Sequence, residues 1–319
     1  MDRSSSSSST LAGRRVLVAG AGGYIASRLL PRLFEAGAKV AAQASFTEPL
    51  QGLDLELIAG PVSDAKVQEA IRAFDPEIVL DLMGKTDQSH SRDNDDAMAA
   101  SHFGAVRDLG RAVIDGPSLT RWVHCGTNEE YGNNPVPFCE DMREEPVSAY
   151  SVGKVAATHH LQMLATYEGV PVCTVRPFVV FGPQQTRGLI PFLIRMGLSD
   201  QAFDTTDGKQ TRDFIWSEDL VQGILAAAVA PADAVNGQVI NLGAGVETPV
   251  RTVVETVCRL AGGGQPNFGA MSMRPGESQR CVADISKAKS LLGWEPQVSL
   301  EQGLAQMVEE ARAAAGASS

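Results

Sequence analysis

The chain has 319 residues, 44% hydrophobic and 20% charged, with 31 Gly and 17 Pro, a composition that excludes collagen-like, coiled-coil and mucin-like proteins. At about 150 residues per domain this length allows two domains, or one large domain with an appendage, without metal or disulfide staples. Twenty-seven Lys plus Arg against 38 Asp plus Glu give a formal net charge of -11 with no basic block, which argues against sequence-independent capture of nucleic acid.

In chain order, the Ser-rich stretch 1–10 has no apolar h-region, so it reads as a disordered leader and not as a secretory signal. The run Arg14 to Ala19 predicts a strand that breaks into Gly20-Ala21-Gly22-Gly23, and apolar residues at helical spacing follow from Ile25 to Ala36. The alternation then repeats. Lys39 to Ala42, Leu55 to Ala59 and Glu77 to Leu82 read as buried strands, with helices at Val67 to Phe74 and Met98 to Ile114. Trp122 to Cys125 is another strand, Ala149 to Glu168 a helix, and Val170 to Val175 closes the main series. Apolar strands alternating with helices predict a parallel sheet covered on both faces.

Beyond Phe181-Gly182-Pro183 the pattern weakens, although helices are expected at Leu189 to Met196, Ser217 to Ala230, Val250 to Ala261 and Leu300 to Ala315, with a strand at Gln238 to Leu242. This part is too broken to be a second doubly wound domain. It reads as a lobe assembled from insertions between sheet crossovers.

The five Cys are scattered without a CxxC, so neither a zinc knuckle nor a disulfide framework is expected and a reducing compartment fits. No run of about 18 apolar residues is present, and the expected location is cytoplasmic. His90, His102, His124, His159 and His160 lack ligand spacing, so no metal is expected.

Two local patterns carry chemistry. Gly20-x-x-Gly23-x-x-Ala26 lies between a strand and a helix, where glycines permit a tight turn and the helix N-terminus favours a pyrophosphate. An acid at the end of the second strand would bind an adenosine ribose, but Val40 to Ser45 contains none. Gln43 or Ser45 is left to donate to a ribose or a 2'-phosphate, and NAD and NADP stay open. The second pattern is Tyr150-x-x-x-Lys154, whose spacing puts phenol and ammonium on one helical face, with Lys154 favouring the phenolate. Thr127 follows a strand at the ligand edge of a parallel sheet, and Glu129 is two residues on.

Taken together, GAGGYIA (20–26), GTNEEYG (126–132), YSVGK (150–154), RPFVVFGP (176–183), TRDFIWSEDL (211–220), INLGAG (240–245) and RPGESQRCVADISKAKSLLGWEP (274–296) resemble, in order, the extended short-chain dehydrogenase/reductase family, in its nucleotide-sugar epimerase and dehydratase branch. The resemblance runs from Leu11 to about Met307. It implies a Rossmann-like doubly wound α/β sheet over 11–180, with its core continuing through 211–245, and a smaller C-terminal substrate-binding lobe from 181–210 and 246–315. It further implies NAD or NADP held by Gly20, Gly23, Tyr24, Ile25, Ser45, Met83, Tyr150, Lys154 and Pro177. A nucleoside-diphosphate sugar would be held by Thr86, Thr127, Asn128, Arg212 and Arg274, the two arginines clamping the diphosphate.

By the same resemblance Tyr150 is the acid/base at the sugar C4 hydroxyl, Lys154 and Thr127 assist it, and Glu129 matches the carboxylate that takes the C5 proton in 4,6-dehydratases. The helices 98–114 and 149–168 match those that pair two subunits into a homodimer. Departures are Ala44 and Pro61 where acids are common on the adenine side, Val179 for a customary Asn, Phe181 for Tyr, and Asn128 where thymidine-type dehydratases carry Asp. The expected reaction passes through a 4-keto sugar to elimination or epimerisation. A 4-ketoreductase using exchangeable NAD(P)H is the alternative, and a catalytically idle dinucleotide-binding regulator is a third. No nucleic acid or membrane partner is expected.

Overall fold

The computed structural model describes residues 11–87, 89, 91–273 and 276–317; the Ser-rich leader, His90 and Arg274 lie outside them. β1 (Arg15–Ala19) runs into the glycine turn, which leads to α1 (Tyr24–Glu35), β2 (Lys39–Ala44), β3 (Glu56–Ala59), α2 (Ala65–Phe74) and β4 (Ile78–Asp81). There follow α3 (Arg92–Ala99), a π-helical segment (Ala100–Gly104), α4 (Ala105–Val113), β5 (Arg121–Cys125), α5 (Ala149–Tyr167) and β6 (Val172–Pro177). The remaining elements are β7 (Val179–Phe181), α6 (Leu189–Leu198), β8 (Ala202–Thr205), β9 (Thr211–Arg212), β10 (Phe214–Trp216), α7 (Ser217–Val229), α8 (Ala232–Val235) and β11 (Val239–Leu242). The chain ends with β12 (Thr248–Pro249), α9 (Val250–Ala261), β13 (Gln265–Phe268), α10 (Ser286–Leu292) and α11 (Leu300–Ala317).

Seven strands form one sheet in the order β11-β6-β5-β4-β1-β2-β3, all in parallel register. This is the doubly wound α/β fold expected, with its switch point between β1 and β4, where a crevice opens at the carboxyl ends of the strands. The sheet is apolar on both faces. Val16, Val18, Leu80 and Ile240 pack under α1 and α7, while Leu17, Val79 and Trp122 pack against α2, α4 and α5.

The lobe has its own core of Phe181, Leu193, Phe214, Trp216, Val253, Val257 and Leu304. Three two-stranded ribbons, β7 with β10, β8 with β13 and β9 with β12, fix it. They are too short to have shown a period of two in the sequence, and each partner is remote along the chain. The helix expected from Met98 begins earlier, at Arg92. This stretch, RDNDDAMA, has almost no apolar periodicity, and it starts because the Ser91 side chain accepts from the Asn94 N–H. At Ala100–Gly104 the expected continuous helix widens into the π-helical segment. Among the described residues no helix is long and apolar enough to cross a membrane.

Candidate active site

The glycine turn closes against the neighbouring strand ends. Gly20 adopts φ +77°, and a Cβ there would lie 2.9 Å from the backbone of Leu82 and Met83. A Cβ on Gly22 would collide with the Phe46 carbonyl oxygen. Gly23 caps α1 without a side-chain hydrogen bond, and the helix has no acid in its first turn, so the N–H groups there are left for an anion. Ile25 is half-buried in that turn, and the Tyr24 hydroxyl donates to the Pro183 carbonyl at 3.1 Å. Ser45 is exposed at the end of β2. Gln43 is not available to a ribose, since its Oε1 accepts from the Gly20 N–H at 3.2 Å and its Nε2 donates to the Gly60 carbonyl at 2.5 Å. Its polarity is spent on bracing the turn.

Thr127 leaves β5 as the cap of a short 3-10 turn, Asn128–Tyr131, with its side chain and that of Glu130 bonded reciprocally to backbone N–H groups. Tyr150 lies in the first turn of α5, which Ser148 and Ser151 cap in the same reciprocal way. These two helix starts bring the side chains of Thr127 and Tyr150 beside one another. Burial raises the Tyr150 phenol well above its ordinary pKa, the Thr127 hydroxyl works against that, and the Glu129 charge adds to it.

Lys154 is 4% exposed, and its Nζ donates to the carbonyls of Met83 at 3.1 Å and Cys125 at 2.6 Å. The ammonium is thus bolted to the ends of β4 and β5. The largest influence on the Tyr150 phenol is burial.

Asn128, Glu129 and Ser148, chain neighbours of the Thr127–Tyr150 pair, line a cavity of about 690 Å³, and Arg212 lines it too. Arg212 pairs with Glu277 at 2.5 Å and donates to the Ser278 carbonyl at 2.9 Å. Asn128 donates to the Cys281 sulfur at 3.2 Å. Pro177 is buried at the end of β6 and Thr86 is exposed in the loop after β4. Arg274 lies outside the described residues. Among those residues no cluster of His, Cys, Asp or Glu could hold a metal ion.

Several site residues have no counterpart in the sequence reading. Glu130, fully buried, accepts from the Thr127 N–H at 2.9 Å, from Thr158 at 3.0 Å and from Arg176 at 2.8 Å. Arg176, itself fully buried, also reaches Glu144 at 2.7 Å and lies 4.5 Å over the Tyr131 ring. Beneath Lys154, Asp81 and His124 are paired at 2.7 Å at the ends of β4 and β5. Burial pushes Asp81 up, but His124 and Lys154 outweigh it and hold its carboxyl below the usual value.

His102, 1% exposed, packs against Tyr150. Burial, then the Lys154 charge, pushes its pKa down to about 3. Between that value and the ordinary 6.5 the unfolded chain binds a proton that the folded chain refuses, so stability falls as pH falls through this window. The expected slope from His102 is up to about 1.4 kcal/mol per pH unit, and His102→Gln should remove it. Urea unfolding of both proteins at several pH values between neutrality and the acid limit checks this; equal slopes would exclude it.

The sequence model of the NAD dependent epimerase/dehydratase family matches residues 16–243. A UDP-glucose 4-epimerase of Mycolicibacterium smegmatis is 30% identical over 314 residues, spanning 92% of this chain and 97% of that protein. A dTDP-glucose 4,6-dehydratase of Xanthomonas campestris pv. campestris is 28% identical over 324 residues, with 92% of each chain covered. Among solved structures, a UDP-glucuronic acid 4-epimerase from Bacillus cereus, in complex with UDP-glucuronic acid and NAD, superposes with a TM-score of 0.86 at 26% identity, covering 94% of this chain and 99% of that one.

Proposed function

Since the chain belongs to the NAD-dependent epimerase/dehydratase family and is an NAD-dependent enzyme acting on a nucleotide sugar, we propose that Tyr150 is its acid/base at the C4 hydroxyl and that Glu129 is the base at C5. The observation that carries this reading is the placing of the Tyr150 phenol beside Thr127 and Glu129, on the edge of a cavity that also holds Arg212.

The chain fits the cofactor. The uncapped start of α1 and the Gly22 backbone, which no side chain could share with Phe46, suit a pyrophosphate. NAD, when bound, would accept the hydride from C4 and give it back, at C6 after elimination or at C4 in epimerisation. Thr127 and Tyr150 hold the C4 hydroxyl between them, and Tyr150, as the phenolate, takes its proton as the 4-keto sugar forms. Lys154, tied to Met83 and Cys125, keeps positive charge beneath that step. Ketone formation acidifies the C5 proton. Glu129 then removes it and passes a proton to the departing C6 hydroxyl, so that water leaves; return of the hydride to C6 and of a proton to C5 completes a 4,6-dehydratase cycle. Epimerisation at C4 is the second reading, favoured by the M. smegmatis relative and by the room in the cavity. Arg212 meets the diphosphate once it is released from Glu277. A homodimer joined through helices 98–114 and 149–168 is supported by Val152, Met163 and Tyr167, exposed along α5.

The test is incubation of the purified enzyme with UDP-, GDP-, TDP- and CDP-hexoses, without added dinucleotide. Mass spectrometry reads loss of water, and NMR reads epimerisation. Strict dependence on added NADPH, with a product heavier by a hydrogen pair, would replace this reading by a ketoreductase. Glu129→Gln is expected to slow water loss by about 10²- to 10⁴-fold while C4 oxidation persists, read as reduced nicotinamide in single turnover. Undiminished elimination would remove Glu129 from the mechanism.

A further inference from the structure

His102 is absent from the mechanism above, yet its ring centroid lies 5.1 Å from that of Tyr150 at an interplanar angle of 82°, edge to face. Its Nε2 is 3.0 Å from the Lys85 carbonyl oxygen. A carbonyl only accepts, so Nε2 carries the proton and Nδ1 is the bare nitrogen. Among the described residues Nδ1 is buried without a hydrogen-bond partner. A leucine would fill the space without that penalty, so the imidazole is present for its anchored end.

The surroundings are cut to its shape. A Cβ on Gly84 would lie 2.6 Å from Nδ1 and would collide with Cε1. A Cβ on Gly153 would lie 3.2 Å from the His102 Cβ and Cδ2, and glycine in a helix interior costs about 1 kcal/mol against alanine. The π-helical segment, a form that recurs at functional sites, carries the residue between these glycines. The pattern of attachment is regular: Met83 takes the Lys154 ammonium, Gly84 admits the imidazole, and Lys85 takes its N–H. Three consecutive residues after β4 therefore hold two side chains that flank the Tyr150 turn of α5. β4 lies beside β1, whose end opens the glycine turn.

We propose that His102 is a positioning residue for Tyr150, fixing the phenol toward Thr127 by tying it to the loop after β4. The proposal rests on the acid/base reading of Tyr150. It extends it by making the loop at residues 83–85 part of the catalytic alignment.

The experiment compares crystal structures of the NAD-bound wild type, His102→Ala and His102→Gln. It also measures kcat and KM with UDP-glucose, TDP-glucose or GDP-mannose, whichever the wild type converts. In His102→Ala the Tyr150 hydroxyl should move away from the Thr127 hydroxyl by about 1 Å, with kcat about a hundredfold lower and KM little changed. Glutamine, which can still donate to the Lys85 carbonyl, should restore most of both. If His102→Ala does not fold, Gly153→Ala serves, since it presses on the ring while favouring the helix, and the same displacement is expected. A Tyr150 hydroxyl unmoved in the folded variant overturns the proposal. Wild-type turnover by Tyr150→Phe would instead overturn the acid/base reading and leave the crystallographic result standing.

Discussion

Tyr150→Phe is expected to lower kcat by about 10²- to 10⁴-fold, the usual worth of a positioned general acid/base, with the fold and the affinity for NAD nearly unchanged. The ring is retained, so its edge contact with His102 persists, and only the hydroxyl beside Thr127 is lost. The phenol is held well above its ordinary pKa by burial, which makes its phenolate a strong base for the C4 proton. The variant deletes the oxygen that receives this proton and puts no other acceptor beside Thr127. Single-turnover reduction of bound NAD by the sugar separates this loss from slow product release. A variant that reduces its cofactor as fast as the wild type would exclude Tyr150 as the group that receives the C4 proton.

Thr127 should behave differently. Its hydroxyl lies beside Tyr150 and also caps the turn that follows β5, so Thr127→Val mixes lost alignment with lost local structure. Tyr150 is the cleaner probe.

The contrast between these residues explains what the sequence could convey. Tyr150 and Lys154 are one helical turn apart, and Gly20 to Ala26 sit between a strand and a helix, so local spacing alone presents them. The main-sheet strands were legible because burial on both faces leaves them continuously apolar. His102 was not legible: in a regular helix its position has no special meaning, and the widening at Ala100–Gly104 that brings it to Tyr150 has no apolar periodicity to announce it. Gln43 illustrates the converse. It stands where a ribose ligand would be sought, yet the backbone of Gly20 and Gly60 takes up its amide. The short ribbons of the lobe pair residues such as Thr211 with Pro249, and nothing within either segment specifies its partner.

Arg176 and Glu130 are likewise joined only in space, 46 residues apart and each fully buried. Arg176→Met is expected to destabilise the protein by about 3–5 kcal/mol, because it leaves the Glu130 carboxylate buried with no compensating charge. Urea unfolding measures this, and a loss below about 1 kcal/mol would show that water reaches the carboxylate or that it takes up a proton. The double variant Arg176→Met/Glu130→Leu removes both charges and should recover part of the stability, since apolar side chains often replace a buried pair at little cost. Activity should not return with it. Glu130 is the acceptor for the Thr127 N–H at 2.9 Å and for the Thr158 hydroxyl at 3.0 Å, so the double variant frees the turn that aims Thr127 at Tyr150. A stable but slow enzyme is the expected combination. Recovery of stability and rate together would mean that the turn is held by its backbone alone and that Glu130 serves only to neutralise Arg176.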